Sequence, residues 1–456
     1  MAGYDKILSD FLFQEELRMK RMLALLLILF LPLPALAEKA DSFPAAFLVK
    51  YTVKDKLNQQ TYLSWEYVQT AQSAVDDEIN GLVDDYVARL GPEMQKASNP
   101  KRNSRLDVHV VNTRSGQSTV SFLVLARESY KRKQVQSPFE CRVYDMDTGE
   151  RVHLTDLFDE DSEAWEIMAE IVYEELDHYF PQQEADEATL RALCAKEALK
   201  ETPFMLGPVS LSFHYEAKTL YPKQPTLMRV TIPYSAIRGH MTEYGEKQTD
   251  NSNYRMCALT FDDGPDYANT ATLLNNLRHT GAQATFFLVG DRIDEYADIA
   301  MRENDENHSL QSHHYKHTDT SKSTIPRIQA YTEKMYEVMT RTWGLGPWML
   351  RAPYGIFDYF IKAKIDLPFI EWDVDTKDWT GKSSAGVMSV IRSEVKDGSI
   401  ILMHDIKDNT PESGRQAAEW LFDHGFMCVT VEELFIQYQQ DMTPNKVFYS
   451  VNTARE

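Results

Sequence analysis

Cysteine is scarce: Cys141, Cys194, Cys257 and Cys428 are the four in 456 residues, and no two form a CxxC. That spacing excludes a disulfide framework and a thiolate zinc cluster, so any metal must be held by histidines and carboxylates. Basic charge is short as well. Lysine and arginine total 48 against 69 acids, a formal net charge of −21, which argues against DNA or RNA as a partner. Glycine and proline, 19 each, are not in excess, and hydrophobic residues make up 43%, which excludes collagen-like, low-complexity and disordered chains. The length corresponds to about three units of roughly 150 residues.

No long apolar run is present either. The stretch Leu23 to Leu31 falls short of the roughly 20 residues of a membrane span. It follows Met19-Lys20-Arg21-Met22 and precedes Pro32, Pro34 and Ala35-Leu36-Ala37. This is the pattern of a secretory signal peptide, with cleavage after Ala37 and a true start at Met19. The expectation is an exported protein, periplasmic, cell-wall associated or extracellular, with no stable membrane span once the signal is removed. Residues 1–37 hold four acids and four bases, so the remainder keeps a charge of −21.

Residues 38–240 read as a smaller α+β accessory domain. Val75, Ile79, Leu82, Val83, Tyr86, Val87 and Leu90 recur at helical steps over residues 73–90. Alternating Leu106, Val108, Val110 and Val120, Phe122, Val124 flank Ser115-Gly116-Gln117 as a hairpin. A helix carrying Trp165, Met168, Ile171, Val172 and Leu176 follows, and strands at 209–215 and 227–233 close the region. Residues 241–254 are polar and patternless, as in a linker. Beyond them, strands near 256–261, 283–289, 308–311, 348–352, 368–374, 399–404 and 426–430 alternate with helices such as 268–279, 326–342, 384–395 and 412–424. That alternation predicts an α/β unit over 255–442, and seven strands favour an incomplete parallel barrel. Residues 443–456 form a tail.

Chemistry-bearing residues fall at the carboxyl ends of these strands, where loops of a parallel barrel converge. Asp262-Asp263-Gly264-Pro265 ends the first strand. His313 and His317, four apart within His308–His317, present imidazoles at a spacing suited to one metal if they lie on a helical turn. Arg351-Ala352-Pro353-Tyr354-Gly355, Asp375-Thr376-Lys377-Asp378-Trp379 and Leu402-Met403-His404-Asp405 each follow a further strand. Singly, each has an ordinary reading as a turn, a surface cation, a core tryptophan or a strand-end histidine. Together they describe a metal site with acid and base nearby.

This set resembles the five-motif pattern of the NodB-type polysaccharide deacetylases, carbohydrate esterase family 4, over residues about 255–440. Thr260-Phe261-Asp262-Asp263-Gly264-Pro265 matches the first motif unchanged, and His313-x-x-x-His317, Arg351–Gly355, Asp375-x-x-Asp378-Trp379 and Leu402-x-His404 match the other four. The resemblance implies a distorted (β/α)7 barrel and a zinc-dependent N-deacetylase, with cobalt as another possible metal. It implies Asp263, His313 and His317 as metal ligands, Asp262 as base, His404 as acid, Arg351 orienting Asp262 and Asp378 paired with His404. Tyr354, Pro353, Trp379 and Leu402 would shape the acetyl pocket. His314 stands where the family usually has Ser or Thr, and Thr318 where it commonly has Pro. The phrases around Asp147–Phe158 and Val230–Tyr234 are similar to the small domain ahead of some exported peptidoglycan deacetylases. The implied substrate is an N-acetylated envelope glycan such as peptidoglycan; the alternatives are chitooligosaccharides, or a catalytically idle carbohydrate-binding wall protein.

Overall fold

The strand Arg255–Asp262 organises the C-terminal half through its period of two. Met256 and Ala258 join one apolar cluster and Cys257, Leu259 and Phe261 another, so Thr260 and Asp262 continue the first face. The strand Ile400–His404 repeats the pattern, with Ile401 and Met403 packed with Cys257 and Leu259 while Ile400 joins Met256. Leu402 and His404 therefore share the inner face with Thr260 and Asp262.

In this computed structural model residues 42–44, 47–58, 61–97, 104–130, 133–136, 138–451 and 454–455 are described. Arg255–Asp262 lies in parallel between Ala284–Leu288 and Ile400–His404, and Phe426–Cys428 pairs with its first residues. Ser309–Ser312 and Val374–Asp375 extend the sheet at its two edges. Single bridges from Ser312 to Leu350 and from Leu350 to Phe369 carry the curve further, giving the distorted α/β barrel expected. Two strands are much shorter than expected: 348–352 contributes a bridge, and 368–374 breaks into Phe369–Ile370 and Val374–Asp375. Side chains interrupt the ladder here. The Asp373 carboxylate accepts from Ile400 N at 2.8 Å and from Ser399 Oγ at 3.0 Å. Helices Asn269–Thr280, Ile325–Trp343, Ser384–Glu394 and Thr410–Asp423 pack outside.

Upstream, Thr61–Gln69, Ser104–Ser115, Thr119–Tyr130 and Phe139–Asp145 are successive neighbours in a larger sheet. The helix Ser73–Ala97 buries Val75, Ile79, Val83, Tyr86 and Leu90, as its periodicity predicts. A second cluster packs the helix Ala164–Asp177 on the sheet formed by Phe204–Leu206, Ser210–Glu216 and Leu227–Pro233. Val108, Val110 and Phe122 of the larger sheet share one apolar cluster with Met256, Ala258 and Met427 of the barrel.

Residues 241–254, expected as a patternless linker, contain a capped helix, Glu243–Thr249, with Gln248 and Asn251 buried. Gln248 Nε2 donates to Asp145 Oδ2 at 2.8 Å, and Asn251 Nδ2 to Pro208 O at 2.6 Å. Burial by hydrogen bonding leaves no apolar period to read. The leader reading at residues 1–37 lies outside the described residues. Among those described, no helix is long and apolar enough to cross a membrane.

Candidate metal and acid–base site

At the carboxyl end of the central strand, Asp263 takes a left-handed backbone (φ 79°), and its carboxylate lines the same cleft as that of Asp262. Gly264 is required beside it, because a side chain there would collide with the buried Asp405 carboxylate. His313 and His317 do not lie on a helical turn. They sit on the loop after Ser309–Ser312, bent by His314 at φ 67°. Left-handed backbone at non-glycine residues costs of order 1 kcal/mol each and clusters at functional sites.

The loop still brings the imidazoles together. His317 Nε2 lies 3.2 Å and His313 Nε2 3.5 Å from Asp263 Oδ1. His313 Nδ1 donates to Arg351 O at 2.8 Å, which leaves the Nε2 lone pair facing Asp263. Asp263 Oδ1 is buried and has no hydrogen-bond partner among the described residues. Ligand atoms of the three residues all lie within 4.8 Å of one another. An orphaned carboxylate oxygen facing two imidazole nitrogens fits a divalent cation of the zinc or cobalt type, which favours such mixed N/O donors. Burial alone would raise the Asp263 carboxyl, but His313, His317 and His404 outweigh it and hold the group well below the usual carboxylate range.

Asp262 is buried beside this trio, its Oδ2 3.9 Å from His313 Nε2. Arg351 donates from Nη1 to Asp262 Oδ1 at 2.8 Å and to Thr260 Oγ1 at 2.7 Å, from Nε to Ile370 O at 2.8 Å, and from Nη2 to Glu371 O at 3.0 Å. Its guanidinium also lies 4.1 Å from the centre of the Phe287 ring. His404 belongs to a second pair. Its Nδ1 lies 2.8 Å from Asp378 Oδ1, and the other Asp378 oxygen accepts from His404 N at 2.7 Å and Thr410 Oγ1 at 2.9 Å. Burial would lower the His404 imidazole, but Asp378 and then Asp262 raise it above its ordinary value.

These groups open on a cleft of about 420 Å³, walled by Tyr354, Trp372, Asp375, Trp379, Leu402 and Lys407. Tyr354 (φ 61°) is 64% exposed with its ring 4.5 Å from that of His317, and Trp379 is 53% exposed. Both rings are therefore free to meet a ligand. Pro353 is buried in the turn Pro353–Gly355 and does not line the cleft.

Three residues near the site were given no role in the sequence reading. Thr260 supports Arg351 and donates to Ile401 O at 2.7 Å; strand alternation already places it with Asp262. Glu371 is buried with Oε1 unpaired among the described residues, and burial pushes its carboxyl up to about 7. An acid directly after the run Leu367-Pro368-Phe369-Ile370 was the available signal. Lys407 had none. The family departure at His314 is absorbed by the core: its ring meets Phe360 edge-on at 5.0 Å, and its N–H donates to Ser312 Oγ at 3.0 Å.

The pattern of the polysaccharide deacetylase family matches residues 249–365. The chain is 33% identical over 178 residues to the peptidoglycan-N-acetylglucosamine deacetylase PgdA of Listeria monocytogenes, covering 39% of this chain and 38% of PgdA. It is 27% identical over 189 residues to the peptidoglycan-N-acetylmuramic acid deacetylase PdaC of Bacillus subtilis, covering 41% and 40%. Against a chitooligosaccharide deacetylase of Bradyrhizobium it is 30% identical over 184 residues, 38% of this chain and 78% of that protein. The chain thus spans about two fifths of the length of PgdA and PdaC.

Proposed function

The chain belongs to the polysaccharide deacetylases, and from that premise we propose that it is a zinc-dependent hydrolase that removes N-acetyl groups from an envelope glycan and releases acetate. Peptidoglycan is the substrate we assign, at N-acetylglucosamine or N-acetylmuramic acid. One observation carries the reading: Asp262 held by Arg351, and His404 held by Asp378, border a single cleft that also contains Asp263, His313 and His317.

Asp263, His313 and His317 would hold the cation, which when bound supplies Lewis acidity toward a carbonyl and toward water. Asp262 accepts the proton of the attacking water, and its ion pair with Arg351 keeps the carboxylate in place for that transfer. The backbone N–H of Tyr354 is assigned to the developing oxyanion, a contact whose loss typically costs about 10²–10³ in rate. An amide anion is too basic to depart. His404 therefore donates a proton to the nitrogen as the carbon–nitrogen bond breaks, with Asp378 favouring the imidazolium. The products are acetate and a free amino sugar.

Export by the leader at residues 1–37 and placement of residues 38–240 as an accessory unit belong to the same reading, with substrate in the envelope. A chitin-type oligosaccharide is the second reading, supported by the match along 78% of the Bradyrhizobium protein. Mass spectrometry of peptidoglycan fragments and chitin oligomers after incubation with zinc-loaded protein tests both. Loss of one acetyl group from a named sugar is expected; unchanged masses in every sample would reject the deacetylase reading.

A further inference from the structure

We propose that Lys407 binds a carboxylate carried by the glycan next to the acetamido sugar and so sets a preference for acidic over neutral chains; this rests on the deacetylase reading of the same cleft. Among the described residues lining the cleft, Lys407 is the one lysine or arginine, whereas Asp262, Asp263 and Asp375 are acids. Asp262 is already paired with Arg351 and Asp263 is assigned to the metal, which leaves Lys407 as the lysine or arginine at the rim that an anionic chain can meet.

The main chain that carries Lys407 is tied down. Lys407 N donates to His404 O at 3.1 Å, and Thr410 N to Lys407 O at 3.0 Å. Asn269 Nδ2 donates to Ile406 O at 3.2 Å and to Asp408 Oδ1 at 3.1 Å, so the adjacent acid is already engaged. Thr270 donates to the preceding Asp405. Among the described residues the Lys407 ammonium itself has no ion pair or hydrogen bond, unlike Lys316, which pairs with Asp291, and Lys322, which pairs with Asp319. A fixed backbone with an uncommitted charge, one turn beyond the residue assigned as acid, is suited to reading a group near the reacting sugar. In a peptidoglycan strand that carboxylate comes from the lactyl ether of muramic acid or from the attached peptide.

The test is calorimetric binding to the full zinc-loaded chain, with acetate release followed in parallel. Three ligands are compared: an N-acetylglucosamine tetramer, a peptide-free tetrasaccharide alternating N-acetylglucosamine with N-acetylmuramic acid, and its peptide-bearing form. Lys407→Gln should weaken the acidic ligands about tenfold, the scale of one charge-assisted hydrogen bond, and leave the neutral tetramer within about twofold. Lys407→Arg should keep the preference, and Lys407→Glu should reverse it. Added salt should shrink the wild-type preference toward that of Lys407→Gln. A preference in the peptide-free arm identifies the lactyl carboxylate, and one confined to the peptide-bearing arm identifies the peptide. Equal weakening of all three ligands, an unchanged acidic-to-neutral ratio, or binding of none overturns the inference. Acetate release with a ratio indifferent to Lys407 overturns the inference alone, whereas a Lys407-dependent ratio with no acetate from any ligand overturns the deacetylase reading alone.

Discussion

Arg351 and Asp262 form a buried ion pair, Nη1 to Oδ1 at 2.8 Å, in which the arginine is fully removed from solvent. Four acceptors converge on that one guanidinium: Asp262, Thr260, Ile370 O and Glu371 O. A lysine ammonium is a point charge with three donors and cannot reproduce a planar fork. Arg351→Lys is expected to lower kcat/KM for acetate release at least about 10²-fold, because misplacing a reacting group by about 1 Å costs that much. It should also destabilise the fold by about 3 kcal/mol, the cost of leaving buried partners unpaired. Steady-state kinetics with urea denaturation measure both, and retention of activity would remove Arg351 from the positioning role.

Three variants separate metal holding from proton transfer. Asp262→Asn should retain zinc, measured by elemental analysis after gel filtration, and lose about 10²–10⁴-fold in kcat as a missing general base does. His404→Ala should behave alike. His317→Ala should lose zinc as well as turnover, because it removes one of three ligand groups clustered within 4.8 Å. Zinc lost from His404→Ala would instead move that residue into the ligand set.

The legible parts of this chain are those where chemistry and period coincide. Strand ends carrying Asp262, Asp263 and His404 are readable because short apolar runs stop at charged residues, and the helix Ser73–Ala97 is readable from its apolar stripe. Elements made by polar burial are not. Gln248 and Asn251 look like linker residues until their partners, Asp145 and Pro208 O, are known from distant segments. The His313–His317 spacing indicated a shared ligand face, yet a loop bent at His314 supplies it. Lys407 joins the cleft only through tertiary placement of its turn.

The joint between the N-terminal sheet and the barrel rests on another pair invisible in sequence. Arg278 holds Glu66 bidentately, Nε to Oε2 at 3.0 Å and Nη2 to Oε1 at 2.6 Å, and reaches Glu306 Oε2 at 2.8 Å. All three residues are buried. Burial would raise the Glu66 carboxyl, but Arg278, His109 and His279 outweigh it and hold the group well below its ordinary value. Glu66→Gln leaves Arg278 with half its compensation and is expected to cost about 3–5 kcal/mol. Zinc affinity should not change, since the pair lies outside the cleft. Differential scanning calorimetry and a zinc titration check this; an unshifted melting temperature would mean that the other contacts between the two parts, such as the shared apolar cluster and the bond from Gln134 to Asp305, hold them together without this pair.

His214 makes the stability of the fold depend on pH. It is 1% exposed, its Nε2 lies 3.2 Å from Asn307 Oδ1, and burial, with a further push from Arg229, lowers its imidazole to about 4. The unfolded chain takes up the proton near pH 6.5 and the folded chain only near 4, so between these values the unfolded state binds more protons and stability falls as pH falls. The gap corresponds to at most about 3 kcal/mol by pH 4. Glu371 and Asp405, each pushed up to about 7 by burial, act in the opposite sense. They keep protons that the unfolded chain has released above pH of about 4, and so cost stability as pH rises toward 7. The wild-type curve alone therefore cannot isolate the histidine, whereas its difference from His214→Gln can. In urea unfolding from pH 7 to 4, wild type should lose stability relative to His214→Gln, the two free-energy curves diverging below about pH 6.5. Parallel curves would mean that the folded chain accepts the His214 proton at its ordinary pH, and that the packing around Asn307 opens to admit the charge.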